Sequence, residues 1–65
     1  MIVQIGETAG KVWQLLDSKG ELTVAKIKTE IKADDFLVAA ALGWLARENK
    51  IEVAKTGRSL KVSLR

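Results

Sequence analysis

The chain contains no cysteine, no histidine, no proline and no tyrosine, and its aromatic residues are one phenylalanine and two tryptophans. The missing cysteines exclude disulfides and thiolate chemistry. Without histidine as well, zinc and the usual transition metals lose their best ligands. No stretch is proline-rich, repetitive or of low complexity, so nothing reads as a linker. No apolar run approaches the roughly 18 residues of a membrane span. The opening Met1-Ile2-Val3-Gln4-Ile5 has neither a basic n-region nor a long h-region, so it does not read as a signal peptide. The expectations are no membrane partner and a cytoplasmic location.

What is present is a 65-residue chain, 48% hydrophobic, with 11 Lys and Arg against 8 Asp and Glu and a net charge of +3. This length predicts one domain over residues 1–65. A chain near 60 residues buries only about 60% of its unfolded surface, so stability is marginal without a metal, disulfides or association. With disulfides excluded and the usual metals deprived of their best ligands, association is the expected reinforcement. The mild basic bias is compatible with nucleic acid and equally with an ordinary surface.

Hydrophobic periodicity predicts three helices. The first is expected from about Glu7 to Ser18, with Gly6 as its cap and Glu7 favourably placed in the first turn. Val12, Leu15 and Leu16 fall at i, i+3 and i+4, Ala9 extends their stripe, and Trp13 lies at its edge as a boundary core residue. Lys19-Gly20 is a stop signal. A short strand at Glu21-Leu22 leads to Thr23, a good N-cap for a second helix from Val24 to about Ile31. Lys26 stands where a capping box would want Glu or Gln. Val24, Ile27 and Ile31 face inward, Lys26, Thr29 and Lys32 outward, and Lys28 lies on the flank. After a turn at Lys32-Ala33, a third helix is expected from Asp34 to Asn49. Two alternating strands, Ile51–Thr56 and Leu60–Leu64, close the chain through Gly57-Arg58-Ser59. Val53 and Leu60 are expected to join Ile51 and Val62 in covering one end of the core. The fold class is α+β, mainly α: a winged helix-turn-helix with three helices, a C-terminal two-stranded hairpin wing and a short strand before the second helix.

The third helix is unusual because it is apolar on nearly every side. Val38, Ala41, Leu42 and Leu45 form an inner stripe. Leu37, Ala40 and Trp44 form a second stripe roughly 120–130° away, with Phe36, Ala39 and Gly43 leaving little polar surface between. In a lone domain this outer face has nothing to pack on, unless Met1 to Ile5 folds back across it. Phe36, Leu37, Ala40, Gly43, Trp44 and Arg47 are therefore the candidate interface residues. They have the aromatic, small and arginine composition of an interface centre. A two-fold homodimer is the simplest form, since one patch serves both subunits, and a different protein partner would use the same patch.

Two stretches resemble a small bacterial winged helix-turn-helix family of unknown function. They are Ile5-Gly6-Glu7-Thr8-Ala9-Gly10-Lys11-Val12-Trp13 and Ala41-Leu42-Gly43-Trp44-Leu45-Ala46-Arg47-Glu48-Asn49-Lys50-Ile51. The resemblance covers nearly the whole chain and implies the same fold. It implies no catalytic residues and brings no ligand with it.

Catalysis is not expected. General acid–base work needs a group titrating near neutral pH or paired carboxylates in a cleft. The acidic residues here read as caps and surface charges, and no glycine loop fits a phosphate. No catalytic residue, metal, cofactor or small-molecule substrate is assigned. DNA is a further candidate partner, through Lys26, Lys28 and Lys32 of the second helix and Lys55, Arg58 and Lys61 of the wing. The third helix argues against sequence-specific readout, because Asp34, Asp35, Phe36 and Leu37 stand where base-reading residues belong. The expected function is a non-catalytic binding domain that self-associates through its third helix, with weak DNA contact by the basic wing. The alternative is a sequence-specific DNA-binding transcriptional regulator domain.

Overall fold

The computed structural model describes residues Met1–Arg65. The apolar stripe of the first helix does not start where glycine was expected to cap it. Ile5, Thr8, Ala9, Val12, Leu15 and Leu16 continue one face without a break, and α1 runs Ile2–Lys19. Gly6 is thus inside the helix, and Ile5 N–H donates to the Met1 carbonyl at 3.0 Å. The expected start at Glu7 was late because Gly6 read as a cap, although Gly6 and Gly10 both lie inside the helix. Each costs about 1 kcal/mol relative to alanine, which packing of the inner face offsets. Thr8, the one buried polar residue, donates its hydroxyl to the Gln4 carbonyl at 2.7 Å. Residues 1–5 do not fold back over the third helix: Ile2 and Val3 are each 73% exposed at the start of α1. Gly20 ends the helix with φ 78°, its N–H donating to the Leu16 carbonyl at 2.8 Å.

β1 (Leu22–Thr23) follows, one residue later than expected, and passes directly into α2 (Val24–Glu30). Thr23 serves both elements: its backbone is extended, and its hydroxyl accepts the Lys26 N–H at 3.1 Å. α3 spans Asp35–Arg47. Asp34 occupies the N-cap position but its side chain makes no capping bond. The expected end at Asn49 was too long, because Asn49 takes φ 60° and stops the helix. Asn49 N–H donates to Ala46 and Lys50 N–H to Leu45, at 3.1 and 3.0 Å. These are the paired bonds of a Schellman motif, with asparagine in the left-handed position.

β2 (Ile51–Thr56) and β3 (Ser59–Leu64) form the wing, and β1 joins them in an antiparallel sheet of order β1-β3-β2. Leu22 pairs with Val62 and Thr23 with Lys61. In the hairpin the register runs from Ile51 with Leu64 to Thr56 with Ser59. That leaves a two-residue turn, Gly57-Arg58, with Gly57 at φ 60°, the residue a type II′ turn needs first.

The core joins Ala9, Val12 and Leu16 of α1, Ile27 of α2 and its C-cap residue Ile31, Val38, Ala41, Leu42 and Leu45 of α3, and Ile51 and Val62 of the sheet. Leu15, Leu22, Val24 and Leu64 pack at its margin. Val53 and Leu60 were expected to cover the core, but they are 46% and 44% exposed. They share the face of Ile51 and Val62, but each stands nearer the hairpin turn than the buried residue of its own strand.

Candidate interaction surfaces

α1 and α3 pack along each other through their inner stripes. Beside that seam, Gly6, Gly10, Trp13 and Gln14 of α1 meet Trp44 of α3, and Lys50 lies at the rim. Together with Ala9 and Leu45 they line an open groove of about 370 Å³. Nothing lies within 4 Å of where a Cβ would stand on Gly6, Gly10 or Gly43. Trp13 is 39% exposed, so it is a wall of the groove rather than the boundary core residue expected of it.

Of the six interface candidates, only Trp44 lines this groove. Phe36 is 61% exposed, Gly43 and Arg47 are exposed, and Leu37 and Ala40 are half-buried. Gly6, Gly10 and Trp13 were not among the candidates. Their signal was the one-turn spacing of two glycines followed three residues later by tryptophan, which becomes legible once the helix is carried back to Ile2. Five of the eight large apolar residues left exposed belong to α1 and α3, namely Ile2, Val3, Trp13, Phe36 and Trp44, and a sixth, Met1, is the N-cap residue of α1.

The structure separates the six cationic candidates. Lys28 and Arg58 come together, with Thr23 and Ser59, in a second groove between α2 and the hairpin turn. No carboxylate lines it, and neither cation is in an ion pair. Lys26 stands apart, 3.7 Å from Glu30 in an i,i+4 pair. Lys19 approaches the same carboxylate at 2.8 Å, and its hydrogen bond, followed by the charges of Lys19 and Lys26, holds the Glu30 carboxyl below its ordinary value. Lys32 is exposed in the turn between α2 and α3. Lys55 pairs across the hairpin with Leu60 and Lys61 with Ala54, so the two lysines point to opposite faces. The wing therefore does not gather Lys55, Arg58 and Lys61 into one patch.

The architecture of three helices and a wing agrees with the comparisons. A family model described as "Winged helix-turn-helix domain (DUF2582)" matches residues 2–64. The chain belongs to this family. It is also similar to an uncharacterized protein of the archaeon Methanocaldococcus jannaschii, with 38% identity over 65 residues, covering 95% of this chain and 91% of that protein. The likeness is therefore not confined to bacteria. No solved structure matches the chain. No helix in this DUF2582 domain is long and apolar enough to cross a membrane.

Proposed function

We propose that this domain is a non-catalytic binding module that self-associates through the adjoining outer faces of α1 and α3. The observation that carries the proposal is the groove walled by Trp13 and Trp44 over bare Gly6 and Gly10. Tryptophan exposed beside glycine on a rigid helix pair fits an interface centre, where large rings fill space and small residues admit the partner backbone. The surface area supports the same reading. A compact monomer of this mass exposes roughly 4,100 Å² by the usual scaling. This chain exposes 4534 Å², about a tenth more. The groove holds two indoles, an amide and one ammonium group, with no carboxylate, so it offers no acid–base pair. Trp44→Lys tests the proposal. It is expected to yield a monomer that keeps its helical spectrum, because the inner stripe of α3 is untouched. A variant that self-associates as the parent does would refute it.

A second reading, weak contact with a nucleic acid backbone, is favoured by the meeting of Lys28 and Arg58 in one groove. Sequence-specific recognition by α3 is disfavoured. Its start presents Asp34, Asp35 and Phe36, all exposed, where the phosphates and bases would approach.

A further inference from the structure

We propose that the groove takes α1 of a second copy, running antiparallel to the first, with Gly6 and Gly10 of both copies at the crossing. This rests on the self-association proposed above and specifies what fills the site. The outer side of α1 carries Ile2, Gly6, Gly10, Trp13 and Asp17 within an arc of about 80° at 100° per residue. A two-fold axis midway between Gly6 and Gly10 sets each against the other, and sets Val3 of one copy against Trp13 of the next. Helix axes approach to the near end of about 8–10 Å only where the meeting side chains are small. Two glycines one turn apart, with open space above both, supply that approach. The same register draws the exposed first turn, Met1, Ile2 and Val3, over Trp13 and Gln14 of the other copy.

Charge favours the antiparallel sense and a second copy of this chain as the occupant. The first turn of α1 has no acidic residue and no side-chain cap, so its N–H groups and the positive end of the helix dipole are uncompensated. Asp17, on the same side of α1 near its other end, is exposed and in no ion pair. Antiparallel pairing brings Asp17 of each copy alongside the first turn of the other. Parallel pairing would set Asp17 against Asp17.

Sedimentation equilibrium of the parent, of Gly6→Leu/Gly10→Leu and of Asp17→Asn tests this. The parent is expected to be a dimer. The double variant is expected to raise the dissociation constant on the order of 100-fold or more, the size of a loss at an interface centre. Its helical circular dichroism is expected to be undiminished, because a Cβ at either position meets nothing within 4 Å in the isolated chain and leucine favours a helix more than glycine does. Asp17→Asn, which leaves packing intact, is expected to weaken the dimer several-fold at low salt and less at high salt. A monomeric parent overturns both this inference and the self-association beneath it. A dimeric parent whose double variant dimerises equally well overturns the crossing at glycine and leaves self-association standing. An Asp17→Asn dimer as tight as the parent, or tighter, overturns the antiparallel sense.

Discussion

Trp13 of α1 and Trp44 of α3 line the same groove, although neither belongs to the seam that holds their two helices together. The seam is made by Ala9, Val12, Leu16, Val38, Ala41, Leu42 and Leu45, which account for the inward stripes of both helices. The indoles are 39% and 48% exposed, so each leaves a large part of its ring in water. The self-association proposed above would cover that exposed part.

The end of α3 carries the first prediction. Asn49 sits at φ 60°, and its side-chain oxygen accepts a bond from Arg65 Nη1 at 3.2 Å. A β-branched residue is strained in that conformation, by roughly 1–2 kcal/mol. Asn49→Val is expected to destabilise the domain by about this amount in urea unfolding, whereas Asn49→Gly should stay within about 0.5 kcal/mol of the parent. Equal stability of Asn49→Val and the parent would show that the turn can be made another way.

The Glu30 cluster predicts an acid response. The carboxyl of Glu30 is held below its ordinary value of 4.5 by Lys19 and then Lys26. A lowered folded value means that the ion pairs contribute stability above the unfolded value, and that this contribution is lost as pH falls through the lower folded value. Glu30 is at the surface, so the effect is small. Melting temperatures of the parent and Glu30→Gln should differ at neutral pH and converge in acid. A difference that persists unchanged at low pH would contradict the assignment.

Nucleic acid contact, where it occurs, should follow the groove between α2 and the wing. Replacing Lys28 and Arg58 with alanine should weaken duplex DNA binding and flatten its salt dependence by about one unit per lost phosphate contact. Lys26→Ala should do much less, because Lys26 already faces Glu30. Binding that discriminates strongly between sequences and depends on residues 34–40 would favour the transcriptional-regulator alternative instead.

Much of the fold was legible in the sequence because its signals are local. Thr23 before an apolar period, Gly20 after one, and alternation from Ile51 to Leu64 each mark an element by chemistry within a few residues. The start of α1 was misread for the same reason. Gly6 looks like a cap locally, and only the continuing stripe through Ile5 and Thr8, packed on α3, overrides it. The apolar outer face of α3 was legible as composition. Its union with Trp13 was not, because it depends on how two helices separated by α2 lie against each other. Likewise six cations were visible, but the ion pair of Lys26, the meeting of Lys28 with Arg58, and the opposite facing of Lys55 and Lys61 are tertiary facts.

The mass of the protein in solution tests the central claim most directly. Sedimentation equilibrium from low to high micromolar concentration is predicted to yield a species of twice the 7.1 kDa chain mass, dissociating on dilution. A mass of 7.1 kDa persisting at high micromolar concentration would contradict self-association through α1 and α3.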